Sequence, residues 1–241
     1  MDFVIGDIHG EIDKLKALLK WIPLKARLIF IGDYIDKGRD PQAVVDFLIK
    51  LKLKRNVIYL LGNHEFKLLE AWQGQAQAQE FMIAYGCQST LESYLKKKIT
   101  AAQRVKMVKD GTFKILMRRH LKFFRSLRPF YDTAGYFMVH GGVPLDRLGR
   151  FRIGNLEKMV FARRGFLAAR KRFRGKVVVF GHTAFKEVFW DGYKLGIDTG
   201  AAYPSSQGFG VLTAVDLQNF TCITHQGHSY TPRLMKGRSN A

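Results

Sequence analysis

Five short apolar runs constrain the fold of this chain more than any other feature of its sequence. Each run has three to five residues and is unbroken, without alternating polar positions. Such a run is typical of a strand that is buried on both faces of its sheet. The runs are Phe3 to Ile5, Leu28 to Ile31, Val57 to Leu61, Tyr136 to Val139 and Val177 to Phe180.

Helical patterns separate the first three runs. Apolar residues recur at helical spacing at Ile12, Leu15, Leu18 and Leu19, and again at Val44, Val45, Leu48 and Leu51. Alternating strands and helices indicate right-handed crossovers, a parallel sheet and the α/β class. Near the end of the chain, 208–217 and 220–224 have the pattern of a hairpin.

The middle of the chain has a helical pattern, and we predict a helical insertion at about 74–130. Apolar residues from Phe113 to Leu127 line one face of a predicted helix, and basic residues occupy its other faces. The length of 241 residues suits one large domain, and no linker or repeat divides it. We therefore expect a single domain over 1–241, with a loose C-terminal tail from about 228 to 241.

The polar residues of greatest interest follow directly after the apolar runs. They are Asp7 and His9, Asp33 and Asp36, Asn63 and His64, His140, and His182, usually with a glycine beside them. Ligands of α/β proteins bind at the carboxyl ends of strands, and glycine allows a close backbone approach to the ligand. One such residue alone would be an ordinary turn residue, but five consecutive strand ends indicate a common site.

This mixture of side chains is typical of a site for borderline divalent metal ions. Asp, Asn and His together suit Mn, Fe or Zn, whereas Ca prefers oxygen ligands only. There are more ligands than one ion needs, so we expect two ions that share a carboxylate. The predicted chemistry is phosphoester hydrolysis by a metal-bound hydroxide, without a covalent intermediate.

The ordered series GDIHG, GDYIDKG, GNHE, HGG and GHT closely resembles the PPP-type phosphoprotein phosphatases among the calcineurin-like metallophosphoesterases, particularly bacterial members. The resemblance covers about residues 5–200. It implies a β-sandwich core flanked by helices, in α/β/β/α layers. It also implies two divalent metal ions, most often Mn, with Fe or Zn as alternatives.

The resemblance also implies a role for each residue of the series. Asp7 and His9 would hold the first metal ion, and Asp33 would bridge both ions. The second ion would be held by Asn63, His140 and His182. His64 would be the general acid that protonates the leaving oxygen, and Asp36 would orient its imidazole.

The residues that contact the substrate phosphate are where this chain departs from the family. Relatives have an arginine where this chain has Lys37, and lysine cannot form the bidentate contact of a guanidinium. Arg39 is a candidate to compensate. Arg163 matches a second phosphate-binding arginine, with Arg164 as the alternative, and Asn63 would also contact the phosphate. The segment YPSSQGFG, at 203–210, replaces a tighter turn of the relatives and is expected to border the pocket.

The motifs leave the substrate open. The first hypothesis is a phosphatase that acts on phosphoproteins at Ser, Thr or Tyr. The second is a hydrolase of dinucleoside polyphosphates or other nucleotide phosphoesters. A third hypothesis, from a different class, is a basic nucleic-acid-binding protein with a degenerate phosphoesterase domain, which the complete ligand set disfavours.

The charge of the chain bears on its partners. Its net charge is +20, and residues 96–176 contribute nearly all of it, with twenty-three basic and four acidic side chains. We interpret this basic block as a surface that attracts phosphorylated or otherwise acidic substrates. The sequence has no apolar run long enough for a membrane span, no signal-peptide pattern and only two cysteines, so we expect a cytoplasmic protein without disulfides.

Overall fold

The computed structural model describes residues 1–235, and these form two β-sheets flanked by helices. The strands are β1 Asp2–Ile5, β2 Arg27–Phe30, β3 Val57–Tyr59, β4 Phe130–Asp132, β5 Tyr136–Val139, β6 Val177–Phe180, β7 Phe189–Trp190, β8 Lys194–Gly196, β9 Thr213–Asp216, β10 Thr221–Thr224 and β11 Ser229–Tyr230. The helices are α1 Ile12–Leu19, α2 Pro41–Leu51, α3 Asn63–Trp72, α4 Ala76–Tyr85, α5 Cys87–Leu95, α6 Ala101–Lys109, α7 Thr112–Met117, α8 Leu121–Arg125, α9 Leu156–Val160 and α10 Arg164–Ala168.

The five apolar runs are divided between the two sheets. The first sheet has the order β11-β10-β9-β1-β2-β3, in which β1, β2 and β3 are parallel, as their alternation with helices predicts. The second sheet has the order β4-β5-β6-β8-β7, and β5 and β6 are parallel within it. In each sheet, the polar residues that follow the apolar runs therefore lie at the carboxyl ends of parallel strands.

Alternation within each buried run explains the layers of the fold. In β1, Phe3 and Ile5 pack against the helices on the outer face of the first sheet, whereas Val4 packs between the sheets. The layer between the sheets also contains Ile29 from β2 and Val179 from β6. A third apolar cluster covers the outer face of the second sheet with α9 and α10. The order is thus α/β/β/α, as the resemblance implies.

The predicted continuous helix at 113–127 is wrong in one respect. A 3-10 turn at Arg118–His120 separates α7 from α8. A 3-10 turn has about 3.0 residues per turn, so it shifts the register of the buried face. As a result Phe123 joins Phe124 in the core, while Arg118 remains on the solvent side.

Two predictions for the C-terminal part need correction. The hairpin exists, but its first strand begins at Thr213 instead of Gly208, because 205–207 form a 3-10 turn that Gly208 ends with a φ of 79°. The tail is not loose at its start, because Ser229–Tyr230 pair with β10 as an antiparallel strand. Residues 236–241 of the predicted tail lie outside the described residues. Within 1–235, no helix is both long and apolar enough to cross a membrane.

Candidate active site

The turns after the strands of both sheets converge on one site. Among the eight non-glycine residues with positive φ in 1–235, five belong to these turns: His9, Asp33, Asp36, Lys37 and His182. A left-handed backbone is unfavourable for residues other than glycine, and it is concentrated at functional sites. The turns therefore hold their side chains in place at a cost in local conformational energy.

Backbone carbonyl groups orient two of the imidazole rings. His9 Nδ1 lies 2.8 Å from the carbonyl oxygen of Ile35, and His140 Nδ1 lies 3.1 Å from that of Ile31. A carbonyl can only accept, so each Nδ1 carries the hydrogen, and in the neutral form of either ring Nε2 would be free to bind a cation. Burial, and next the charge of Lys37, lower the pKa of His9, which favours this neutral form.

Asp33 lies between two groups of potential metal ligands. Its Oδ2 is 3.3 Å from His9 Nε2, and its Oδ1 is 3.3 Å from His140 Nε2. One group comprises His9, Asp33 and His64, and the other comprises Asp33, His140 and His182. Burial raises the pKa of Asp33, but the three histidines His140, His64 and His9 outweigh it and hold this pKa well below the usual value. The carboxylate is therefore ionised and shared by both groups.

Asn63 and Asp7 both contact the group formed by Asp33, His140 and His182. Asn63 Oδ1 lies 2.9 Å from His140 Nε2 and 2.8 Å from His182 Nδ1. Asp7 Oδ2 accepts a hydrogen bond of 3.0 Å from the backbone N–H of His182. Burial, and next the neighbouring His140, lower the pKa of His182 to about 2, so its ring is neutral and able to bind a cation.

The other carboxylate oxygen of Asp7 provides a test of metal binding. Asp7 Oδ1 is buried and has no hydrogen-bond partner among the described residues. Burial, then Asp198 and Asp33, raise the pKa of Asp7 well above its usual value. A Cβ on Gly181 would lie 2.2 Å from this oxygen, so only glycine allows the backbone to pass so close. A buried, unpaired carboxylate oxygen is unfavourable unless a cation binds it, so the site fits a metal ion.

A buried hydrogen-bond chain supports His64. His64 Nδ1 lies 2.7 Å from Asp36 Oδ2, and the hydroxyl of Thr90 donates to Asp36 Oδ1 at 2.5 Å. The backbone N–H of Asp36 donates in turn to the Thr90 hydroxyl at 2.9 Å. Burial lowers the pKa of His64, but Asp33 and Asp36 outweigh burial and raise it. His64 is thus suited to carry a proton, although its Nε2 also faces Asp33 at 3.9 Å.

Lys37 and Arg163, the two predicted phosphate-binding cations, both contact residues of the site. Lys37 Nζ lies 2.8 Å from His9 Nε2 and 5.2 Å from the centre of the Tyr203 ring. Arg163 Nε donates to His182 Nε2 at 3.0 Å. Arg39 and Arg164 are exposed, and no hydrogen bond to a site residue is found for either within the described residues.

Sequence reasoning assigned no role to Glu65, although it follows His64 directly. Its buried carboxylate accepts hydrogen bonds from three successive backbone N–H groups, those of Asp33, Tyr34 and Ile35, at 3.0, 2.8 and 3.1 Å. Burial and the charge of Asp33 raise the pKa of Glu65 to about 7. Glu65 therefore fixes the turn that holds Asp33. The only signal for it was its place in GNHE.

Asp198 and Thr90 were also missed. Asp198 is buried after β8, and its pKa is raised by burial. Its charge also contributes to the raised pKa of Asp7, and a Cβ on Gly6, the residue before Asp7, would lie 3.6 Å from Asp198 Cα. Thr90 contacts Asp36 from α5, 54 residues further along the chain. Neither residue stands in a pattern that indicates its partner.

Comparison with known proteins agrees with this geometry. The sequence signature described as calcineurin-like phosphoesterase matches residues 3–186. The chain belongs to this family. It is therefore a metallophosphoesterase, a hydrolase of phosphoester bonds, and members of the family normally bind two divalent metal ions.

Relatives of this metallophosphoesterase carry several names. It is 24% identical over 228 residues to bis(5'-nucleosyl)-tetraphosphatase PrpE of Anoxybacillus flavithermus, covering 83% of this chain and 85% of that protein. A cold-active protein tyrosine phosphatase has the same fold, with a TM-score of 0.62 and 16% identity over 97% of this chain and 78% of that one. A protein serine/threonine phosphatase from Saccharomyces cerevisiae gives a TM-score of 0.53 and 18% identity, over 98% and 81%.

Proposed function

We propose that this metallophosphoesterase hydrolyses its substrate at a two-metal site centred on Asp33. Asp7, His9 and Asp33 would hold one ion, and Asp33, Asn63, His140 and His182 would hold the other. The observation that carries the proposal is the ionised Asp33 carboxylate, whose two oxygens face His9 and His140 separately. Two bound divalent ions, most readily Mn, with Fe or Zn as alternatives, would supply Lewis acidity and lower the pKa of a water molecule.

His64 is proposed to deliver a proton from Nε2 to the leaving oxygen. Asp36 accepts from Nδ1 and so fixes the ring, and Thr90 fixes Asp36. Asp33 and Asp36 outweigh burial and raise the pKa of His64, which favours the protonated form that a general acid needs. The ring is 5% exposed, so bulk water has little access to the proton.

Lys37 and Arg163 are proposed to hold the charged phosphoryl oxygens. Lys37 lies beside His9, and Arg163 lies beside His182, so the two cations flank the two ligand groups. Asn63 is proposed to contact the phosphate as well as a metal ion. As a point charge, Lys37 would attract the phosphoryl group without the geometric selectivity of the arginine that relatives have.

For the substrate, we propose dinucleoside polyphosphates, the second of the two enzyme hypotheses. The support is the name of the bis(5'-nucleosyl)-tetraphosphatase relatives, which match most of both chains. Phosphoproteins carrying phosphorylated Ser, Thr or Tyr remain the second candidate, supported by the motif series shared with the PPP-type phosphatases. The exposed basic residues of 96–176 would raise the local concentration of either polyanion, so kcat/KM should fall as salt is added.

A turnover panel tests the substrate. Chelator-treated protein is reloaded with Mn and given a dinucleoside tetraphosphate, a phosphotyrosine peptide and a phosphoserine peptide, and products are separated by chromatography. We expect the highest kcat/KM for the dinucleotide. A higher value for either peptide would replace this substrate with a phosphoprotein.

The role of His64 is tested by leaving-group dependence. His64→Asn should lower the rate on phenyl phosphate about 100-fold or more, and the rate on p-nitrophenyl phosphate much less, because a good leaving group needs little protonation. His120→Gln is the matched control, since His120 is also buried but lies on the helical side of the fold. Equal losses on both esters would exclude His64 as the general acid.

A further inference from the structure

A path of aromatic rings leads from the proposed general acid to the protein surface. The Phe81 ring centre is 5.6 Å from that of His64, and the Tyr85 ring centre is 4.8 Å from that of Phe81. The Phe161 ring packs beside this path, with its centre 5.6 Å from that of Phe81 and 5.8 Å from that of His182. We call Phe81, Tyr85 and Phe161 the aromatic shelf.

The fold places this shelf firmly at the edge of the active site. Phe81 and Tyr85 are four residues apart on α4 and so lie on the same face of the helix. The helix ends at Tyr85, and the next residue, Gly86, packs against the turn of Asp36 and Lys37: a Cβ on Gly86 would lie 3.4 Å from Asp36 Cβ. The shelf therefore borders the catalytic turn directly.

Core packing accounts for the inner rings but not for Tyr85. Phe81 and Phe161 are partly buried, whereas Tyr85 is 62% exposed. Single exposed aromatic residues are common, but this one continues a row of rings that begins at the active site. An exposed ring in such a position offers a flat apolar face to a bound molecule.

We propose that Tyr85 stacks on the nucleobase of the leaving nucleotide. This inference rests on the proposed function, because it uses the His64 side of the site as the side of the leaving group. The oxygen that His64 protonates is the first atom of the leaving group, so residues beyond His64 contact the rest of that group. The aromatic shelf is the surface that continues from His64 in this direction.

The distance from His64 selects a nucleobase over a phenol ring. In a phosphotyrosine, the ring is bonded directly to the protonated oxygen, so it would reach only Phe81. In a nucleotide, a phosphate and a ribose separate that oxygen from the base. The base therefore extends one ring further, to Tyr85, and stacking on an aromatic side chain is a common mode of base recognition.

Equilibrium binding tests the shelf independently of turnover. The probes are AMP and ribose 5-phosphate, which share the phosphate and the sugar but differ in the base. Dissociation constants are measured by calorimetry on Mn-reloaded protein, with chromatography afterwards to confirm that both probes are still intact. We expect AMP to bind about 5- to 100-fold more tightly than ribose 5-phosphate. Tyr85→Ala should abolish this difference and leave ribose 5-phosphate binding unchanged, while Tyr85→Phe should retain the difference.

Ile115→Ala is the matched control, because Ile115 is 77% exposed on α7 and lies outside the shelf. Equal affinities for AMP and ribose 5-phosphate, or an unchanged preference in Tyr85→Ala, would overturn the nucleobase site even if the dinucleotide is turned over. A preference for AMP that depends on Tyr85, without turnover of the dinucleotide, would keep the nucleobase site and refute the proposed substrate.

Discussion

Glu65→Gln is the most informative substitution outside the proposed metal ligands. The carboxylate accepts two N–H groups at Oε1, from Tyr34 and Ile35, and one N–H group at Oε2, from Asp33. A glutamine can keep its oxygen at the first position, but its NH₂ group then faces the N–H of Asp33. Two donors cannot pair, so one buried hydrogen bond is lost and its donor stays unsatisfied.

The structure sets the size of the effect. Glu65 is fully buried, and a buried donor left without a partner costs about 1–3 kcal/mol. The free energy of unfolding should therefore fall by about 2 kcal/mol, which corresponds to a Tm about 4–8 °C lower for a chain of this size. The backbone of Asp33 has a φ of 54°, so loss of its support should also move the shared carboxylate and weaken metal binding.

Urea unfolding and calorimetric Mn titration measure the two consequences. Both are run at pH 8.5, above the pKa of about 7 of Glu65, so that the wild-type carboxylate is ionised. Glu80→Gln is the control, because Glu80 is exposed and forms an ion pair with Lys109 on the surface. A loss below about 0.5 kcal/mol together with unchanged Mn affinity would refute the reasoning, since the three hydrogen bonds would then contribute nothing to the turn.

Three further predictions concern single side chains. Lys37→Ala should lower kcat/KM on an aryl phosphate by about 10- to 100-fold and Lys37→Arg should preserve it, whereas unchanged steady-state kinetics in the alanine variant would remove Lys37 from the phosphate site. Asp33→Asn should reduce bound metal below two ions per chain and abolish turnover; metal analysis and rates that both match wild type would contradict the two-metal site. Burial lowers the pKa of His120, and Arg119 adds a weaker effect in the same direction, despite the opposing Asp46. The unfolded chain therefore binds a proton at His120 before the folded chain does. The free energy of unfolding should fall as pH drops below about 6.5. Urea unfolding at pH 7.5 and 5.5 should show a smaller acid loss for His120→Gln, and an identical loss would refute this linkage.

The sequence predicted those parts of the fold that depend on local patterns. The run at 3–5 showed a strand buried on both faces, because its alternate residues face two different apolar layers. The placement of β5 and β6 in a second sheet could not be predicted from spacing, because strand pairing depends on contacts between residues far apart in the sequence. The 3-10 turn before Leu121 was also missed, because the apolar period is nearly the same on both sides of it.

In the candidate site, too, only the residues with a local sequence signal could be predicted. Residues at strand ends were found because glycine and a polar side chain follow each apolar run. Thr90 and Glu65 act through partners that lie about 30 to 54 residues away, and nothing in their own surroundings signals those contacts. The sequence indicated no role for Tyr85, because its exposure is a property of the folded surface.

The candidate site draws side chains from both sheets of the sandwich. Asp33 follows β2 of the first sheet, while His140 and His182 follow β5 and β6 of the second. The distances within the site therefore depend on the thickness of the apolar layer between the sheets, where Val179 packs. Metal ions bound at this site would link the ends of the two sheets. Removal of a methyl group from that layer should therefore change the affinity for metal ions, although no ligand residue has been substituted.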